Sequence, residues 1–507
     1  MNETNTRLGS LISELRQIRG LTQSEFAQKL GTSQSAINRI EKGGQNLSLD
    51  MLSRISEVLQ KPLISLGNQG VNLRIEGGHE LSGSITLKTS KNAAVGLLCA
   101  SLLNKGTTLF KSFPRIEEVF RIIEVLESMG VKIKWLDNND LEIKRPAKLK
   151  IDNLNIEAAR KTRSVLMMIG PLMHEMNDFK IPYAGGCKLG ARSVKGHLFA
   201  LEEFGVNIVA KTGFYHITSK LTQPERVILY ESGDTVTENT LMAASKTQGK
   251  TIIQFATANY MVQDVAGYLQ ALGIQVDGIG TTTMTVHGVK KDINCNVVYA
   301  PAEDPIEAMF FVSTAVTTNS ELTIKRVPID FMALELLKLK KMGLEITQSK
   351  RYKALNNLTD LVDITIHKHN GKLTALPDKI HANIYPGINQ DNLPYFVPIA
   401  AITHGRTLIH DWTYENRAIY YTELTKIGAS IELADPHRVL INGPTKFTSA
   451  DLACPPALRP ASLLLIGMLA APGKSTLRNI YTINRGYEDI ARRLNSIGAH
   501  IEVLNDI

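Results

Sequence analysis

The stretch Leu126-Glu-Ser-Met-Gly130-Val-Lys-Ile133 joins the last turn of an amphipathic helix, through a glycine, to a short strand of alternating polarity. The same arrangement returns as Leu201-Glu-Glu-Phe-Gly205-Val-Asn-Ile208, Leu269-Gln-Ala-Leu-Gly273-Ile-Gln-Val276 and Leu339-Lys-Lys-Met-Gly343-Leu-Glu-Ile346. It returns twice more as Leu424-Thr-Lys-Ile-Gly428-Ala-Ser-Ile431 and Leu494-Asn-Ser-Ile-Gly498-Ala-His-Ile501. Each glycine is expected at the left-handed position that ends a helix, where a Cβ is penalised and from which the chain turns into a strand. Successive glycines are 68 to 85 residues apart, too far for a solenoid repeat and enough for several strands and helices per unit. Six such units predict an α/β body arranged as two lobes of three.

Composition sets wide limits around that body. The chain has 507 residues, 43% hydrophobic and 21% charged, which is ordinary globular material with length for several domains. Four cysteines, Cys99, Cys187, Cys295 and Cys454, lie far apart with no Cys-x-x-Cys pair, so a reducing compartment, no structural metal and no cofactor are expected. No basic-then-apolar leader precedes the first helix pattern, and the apolar run from Ala461 to Pro472 is too short to cross a bilayer, which predicts a cytoplasmic protein. A net charge of +8 suits anionic small molecules or nucleic acid without choosing between them.

Residues 1–67 depart from the repeat and read as all helix. Thr22 with Glu25 three positions on forms a capping box, Gly31 closes that helix, and Ser33 caps the next. Phe26, Ala27, Leu30, Ile37 and Ile40 then face inward, while Gln34, Ser35, Asn38 and Arg39 face out. Thr-Gln, Ala, Gly-x-Ser-Gln, Ile and Glu-x-Gly in this order resemble the lambda-repressor/Cro-like helix-turn-helix family. The resemblance implies a DNA-binding module, with Gln23 near a phosphate and Gln34, Ser35, Asn38 and Arg39 on the reading edge in the major groove, working as a homodimer on paired half-sites. An excess of two positive charges in this segment (8 Lys and Arg against 6 Asp and Glu) promises modest nonspecific affinity. A small helical bundle used for dimerisation is the alternative reading.

Gly185-Gly186-Cys187-Lys188-Leu189-Gly190-Ala191-Arg192 sets a thiol among glycines and cations, a setting that favours the thiolate and lets backbone approach a small ligand. Around the rest of the chain stand Ser90-Lys91-Asn92, Lys161-Thr162-Arg163, Asn389-Gln390-Asp391, Asn416-Arg417, Leu458-Arg459 and Asn484-Arg485-Gly486. Several arginines suit a donor bearing both a carboxylate and a phosphate, because the planar guanidinium pairs bidentately with either.

On these motifs the chain from about Val71 to its end resembles the enolpyruvyl transferases, and its cysteine loop resembles the branch that acts on UDP-N-acetylglucosamine in peptidoglycan precursor synthesis. The resemblance implies a two-lobe fold with substrates closed between the lobes. The implied division is a helix-turn-helix domain at 1–67, a linker and first strands of lobe 1 at 68–90, lobe 2 with the Cys187 loop at 91–301, and the remainder of lobe 1 at 302–507. The partners it implies are phosphoenolpyruvate and a UDP-sugar. It implies Lys91, Cys187 and Asp391 as catalytic, Cys187 adding to phosphoenolpyruvate or protonating it and Asp391 acting as base on the sugar hydroxyl. Asn92, Arg163, Arg192, Arg417, Arg459 and Arg485 are implied as substrate-binding. Departures fall in the nucleotide-sugar half: Ala457 and Phe120 replace acidic residues, Pro305 an arginine, Ser193-Val194-Lys195 a Pro-Val-Asp run, and the expected nucleotide loop reads Gly233-Asp234-Thr235-Val236-Thr237. These leave open a transcriptional regulator whose enzyme-like body senses a ligand with little turnover, or a carboxyvinyl transferase for another acceptor.

Overall fold

The computed structural model describes residues 9–10, 12–13, 15–16, 21–45, 47, 49–59, 71–183 and 194–505. The chain separates into two compact units, Met1–Gln69 and Gly70–Ile507.

In the small unit, helices Gln23–Leu30, Gln34–Glu41 and Leu49–Leu59 surround a core of Phe26, Ala27, Leu30, Ile37, Ile40 and Ile55. The capping box forms as the spacing predicts: Thr22 Oγ1 accepts from the Glu25 amide at 3.2 Å, and Glu25 Oε2 accepts from the Thr22 amide at 2.8 Å. Gly31 closes the helix at φ 64, and Ser33 caps the next helix by accepting from the Ala36 amide at 3.2 Å. Glu41 gathers the unit, accepting from Arg16 Nε at 2.5 Å, Ser13 Oγ at 3.1 Å and Gln23 Nε2 at 2.8 Å.

All six repeat glycines take the left-handed conformation, with φ between 77° at Gly205 and 100° at Gly343. The strand after each glycine forms an edge of its own small sheet, and among the described residues there are six sheets. Five share one plan. In the first, Val297–Tyr299 runs parallel to Thr107–Phe110, which pairs antiparallel with Leu141–Lys144, which pairs antiparallel with the post-glycine strand Lys132–Trp135. The others place Arg226–Ile228, Ser84–Thr86, Ile380–His381 and Asp451–Ala453 at the parallel edge. The sixth, Asp178–Pro182, Phe214–Ser219 and Val206–Lys211, is antiparallel throughout.

The large unit holds two extended hydrophobic cores. One runs from Ala93 to Tyr299 with Phe331 added, the other takes Leu73 to Leu87 and Ile306 to Ile501. The chain passes between them twice, and the two passages lie side by side: Ser90 N donates to Ala302 O at 2.8 Å, Asp304 N to Lys88 O at 3.0 Å, and Thr89 bridges Glu303. Each core is built around helices with little polar face. Pro305–Thr317 is buried at every position, and Leu458–Ala470, Lys91–Ala100 and Asp234–Ser245 are buried along most of their length. Such helices are held by packing on all sides, so side chains at their ends are fixed to within the tolerance of the core.

Candidate active site

Three of these buried helices bring their N-terminal ends within electrostatic reach of one carboxylate, Asp391, and the fourth, capped by Asp304, lies within reach of Arg459. Lys91 opens Lys91–Ala100, Asp234 opens Asp234–Ser245, Asp304 caps Pro305–Thr317, and Arg459 is the second residue of Leu458–Ala470. A helix N-terminus carries unpaired amides and about half a positive charge, so a lysine there opposes the local preference and strengthens an anion site. Burial pulls the Lys91 ammonium below its usual range, with Glu118 and Asp391 opposing that fall and Arg459 and Arg485 adding to it.

Asp391 lies just before the short turn Leu393–Tyr395 and is about one-fifth exposed. Arg417 Nη1 reaches its Oδ1 at 3.3 Å and Arg459 Nη2 its Oδ2 at 3.2 Å. Burial alone would raise this carboxyl, but Arg459, Arg417 and Lys91 hold it far below the ordinary carboxylate range. Arg417 is fully buried. Its Nε and Nη2 donate to Asp411 at 2.5 and 2.8 Å, Nη2 also donates to the Gln390 carbonyl, and its guanidinium stacks on Tyr414 at 4.0 Å. Its donors are therefore engaged with Asp411, Asp391 and the Gln390 carbonyl. Arg459 also donates to Tyr487 Oη at 3.3 Å, and Tyr487 is bonded to Tyr395.

Opposite Asp391 a second carboxylate completes the cluster. Glu118, near the start of helix Glu117–Ser128, accepts from Arg485 Nη2 at 2.9 Å and Thr162 Oγ1 at 2.7 Å. Burial works to raise it, yet Lys91 and Arg485 pull it below its usual range. Phe120 packs edge-on against Trp135, so Glu118 supplies the carboxylate in this stretch. Setting aside the Arg417–Asp411 pair, Lys91, Arg459 and Arg485 face Asp391 and Glu118.

The structure thus brings together Lys91, Asp391, Arg417, Arg459 and Arg485. Asn92 lies beside Lys91, its Nδ2 donating to Tyr260 Oη at 3.4 Å. Arg163 follows Thr162, and its charge acts on His197 and Tyr215. Cys187 and Arg192 lie outside the described residues. On the small unit Gln34, Ser35 and Arg39 are exposed and Asn38 is half-buried. Gln23 is tied to Glu41 and accepts from Gln34 Nε2 at 3.3 Å. Among the described residues, donor atoms that could converge on a metal occur at Glu76, His79 and His500, within 4.8 Å of one another. That group contains no residue of the charged cluster.

Sequence reasoning did not find Glu118, Thr162, Asp304, Asp411, Tyr487 or Glu488. Burial pushes Asp304 up to about 6 against the pull of Arg459. Glu488 accepts from Lys88 Nζ at 3.2 Å, Asn139 Nδ2 at 3.2 Å and the Arg115 amide at 3.1 Å, bridging the two cores. A carboxylate beside a known arginine, as in Arg485-Gly486-Tyr487-Glu488, was the available signal for the last of these.

Comparison with known proteins meets this geometry at several points. Residues 75–494 match the family model described as EPSP synthase (3-phosphoshikimate 1-carboxyvinyltransferase), and residues 12–66 match a helix-turn-helix model. The UDP-N-acetylglucosamine 1-carboxyvinyltransferase of Treponema denticola is 31% identical over 430 residues, covering 85% of this chain and 98% of that one. The protein of the same name from Gloeobacter violaceus is 30% identical over 431 residues, covering 85% and 90%. Among solved structures, the enolpyruvyl transferase NikO from Streptomyces tendae superposes with a TM-score of 0.71 at 22% identity, covering 87% of this chain and all of that one. EPSP synthase from Acinetobacter baumannii superposes with a TM-score of 0.66 at 19% identity, covering 86% and 100%. No described helix is long and apolar enough to cross a membrane.

Proposed function

The chain belongs to the enolpyruvyl transferase family, and from that premise we propose that it transfers the enolpyruvyl group of phosphoenolpyruvate to a hydroxyl acceptor at the cluster around Asp391. The observation that carries this reading is the convergence of three cations, Lys91, Arg459 and Arg485, two of them near helix N-termini, around Asp391 and Glu118. A donor bearing a carboxylate and a phosphate suits that convergence, because guanidinium groups pair with both and helix N-termini favour anions.

Asp391 takes the proton of the acceptor hydroxyl while its oxygen bonds to C2 of the donor, and an acid delivers a proton to the donor methylene. Loss of that methyl proton with departure of phosphate then yields the enolpyruvyl ether and inorganic phosphate. Cys187 is our choice for the acid, on its glycine-and-cation setting in the sequence, with Arg192 beside it for phosphate. Arg163 and Asn92 belong to the substrate-binding set. Arg417 holds Asp391 in place as a positioning residue.

UDP-N-acetylglucosamine, named in the relatives, is the reference acceptor for assay. Phosphate release from phosphoenolpyruvate, with Lys91→Met as the inactive control, tests the reading. Release that is absent with every hydroxyl acceptor, or that survives Lys91→Met unchanged, refutes it.

The small unit we assign to DNA, read by Gln34, Ser35, Asn38 and Arg39, with Gln23 at the backbone. Its helix-turn-helix match is the observation that keeps a second reading in view, a regulator whose large unit binds ligand with little turnover. Ligand-dependent melting without phosphate release would select that reading.

A further inference from the structure

The outer face of one sheet carries a second group of converging side chains. Val71–Gly77 lies in that sheet between Gly473–Arg478 and His500–Asn505, antiparallel to both. Its register sets Glu76 directly opposite His500 on one side and Lys474 on the other, so the three stand in a row on one face. Ile75 and its partner Ile501 point the other way, into the core.

His79 joins the row from the turn that ends Val71–Gly77, and that turn has little freedom. The Gly78 amide donates to the Leu469 carbonyl at 2.9 Å, and Gly78 sits at φ 83. A Cβ on Gly77 would stand 2.1 Å from the Met468 carbonyl oxygen, and one on Gly78 would stand 2.9 Å from Pro472 Cα. The backbone from Glu76 to His79 is thus clamped against the C-terminal end of the buried helix Leu458–Ala470.

These positions bring one donor atom each from Glu76, His79 and His500 within 4.8 Å of one another. His79 Nε2 stands 3.9 Å from Glu76 Oε1, and the two imidazole centroids are 4.4 Å apart with their planes inclined at 34°. Neighbouring charges leave the group available. Arg74, two residues back on the same face, is paired with Glu502 at 2.8 Å. Lys474 Nζ keeps 3.9 Å from Glu76 Oε2 and is 71% exposed, and so long a surface contact gives way readily.

Two imidazoles and one carboxylate suit a borderline divalent ion, whereas magnesium and calcium take sets of oxygens. A tetrahedral ion with bonds of about 2.0–2.2 Å holds its donors about 3.4 Å apart, which rotation of surface side chains on a fixed backbone can reach. We propose that Glu76, His79 and His500 bind a divalent transition-metal ion of the zinc class, with water completing its coordination. His500–Asn505 is an edge strand, paired on one side only, and the ion ties its first residue to the end of Val71–Gly77. An ion held by the folded sheet alone stabilises it by mass action.

The test is titration calorimetry of the untagged full chain, freed of metal by a chelator, with zinc, magnesium and calcium chlorides, beside His79→Gln and His500→Gln. One equivalent of zinc should bind the native chain with micromolar affinity and either variant at least about tenfold more weakly, with magnesium and calcium giving no heat. Zinc should raise the melting temperature of the native chain and leave that of both variants unmoved. Zinc-soaked crystals of the native protein, free of any effect of substitution on folding, should show an anomalous peak between the three side chains. Zinc affinity that is equal in all three proteins, no zinc binding by the native chain up to millimolar concentration, or an anomalous peak only elsewhere overturns the proposal.

Discussion

Replacing Asp391 by asparagine separates the two jobs that its geometry gives it. The carboxylate neutralises Arg459 at 3.2 Å and Arg417 at 3.3 Å, and in the proposed reaction it accepts the acceptor's proton. At an effective dielectric of about 20, a unit charge pair at that separation attracts by roughly 5 kcal/mol before desolvation is subtracted. Most of that gross figure is cancelled. Arg417 keeps its bidentate bond to Asp411, Arg459 keeps Tyr487, and the carboxylate remains one-fifth exposed, so the expected loss of stability is about 2 kcal/mol. Catalysis should suffer far more, because an amide cannot take a proton: turnover is expected to fall about 10²- to 10⁴-fold. Donor affinity should hold or improve, since Lys91 and Arg459 lose a competing anion.

The same geometry makes Asp391 a weak base at rest, because the arginines hold its proton affinity far below normal. In the proposed reaction, donor binding draws Arg459 and Lys91 towards phosphate or carboxylate and so restores basicity when it is needed. The acid limb of kcat should accordingly lie at higher pH than that of kcat/KM in the native enzyme. The assay is phosphate release against pH, beside chemical denaturation and calorimetric binding of phosphoenolpyruvate. Turnover unchanged in Asp391→Asn would refute the reasoning, and so would a loss confined to the KM for phosphoenolpyruvate.

Cys187→Ser should remove turnover and labelling by fosfomycin-like epoxides. Peptide mapping of the native protein after mild alkylation at neutral pH should find Cys187 dominant, because burial raises the thiols of Cys99 and Cys295 and pushes that of Cys454 up to about 12. Burial also pushes Asp264 up to about 7, although Ala302, Asn356 and Tyr299 donate to it. Its folded-state pKa is raised, so the stability it contributes is present below about pH 4 and lost as pH rises through 7. Between pH 5 and 8, Asp264→Asn should gain about 3 kcal/mol relative to the native protein in denaturant titrations, and an equal difference at both pH values would refute this. Gln34→Ala should weaken binding to a selected operator by about 1–3 kcal/mol and spare nonspecific binding, measured by fluorescence anisotropy at fixed salt, with equal loss on all sequences as the contrary result.

What could be read from the sequence were features whose cause is local. The six glycines announce themselves because only glycine enters the left-handed region freely at the end of a helix, and Thr22, Glu25 and Ser33 because capping pairs residues three apart. Lys91, Asp391, Arg459 and Arg485 could be picked out by the motifs around them. Their partners could not. Glu118 meets Arg485 from 367 residues away and Glu488 meets Arg115 from 373, separations at which no spacing rule operates. The motif around Arg417 suggested a substrate contact but carried no sign of its burial against Asp411, which depends on how Asp411–Arg417 packs under Tyr414 and Tyr421. Likewise Phe120 read as a lost acid, and Glu118 two positions earlier supplies one.

The ion pairs of the large unit make best sense as placeholders for ligand charge. A desolvated pair seldom repays its own burial, and hydrophobic residues of the same size would generally stabilise a cleft as well. Lys91 at a helix start is unfavourable twice over, against the helix dipole and through loss of hydration. Such choices survive where a ligand supplies the compensation. Arg485–Glu118 and Arg459–Asp391 pair these two arginines with protein carboxylates. A donor dianion then exchanges with protein carboxylates already at contact distance, at a smaller net cost than desolvating free arginines. In the proposed reaction, that exchange frees Asp391 as a base only when the donor is in place, which ties proton abstraction from the acceptor to donor occupancy through charge alone.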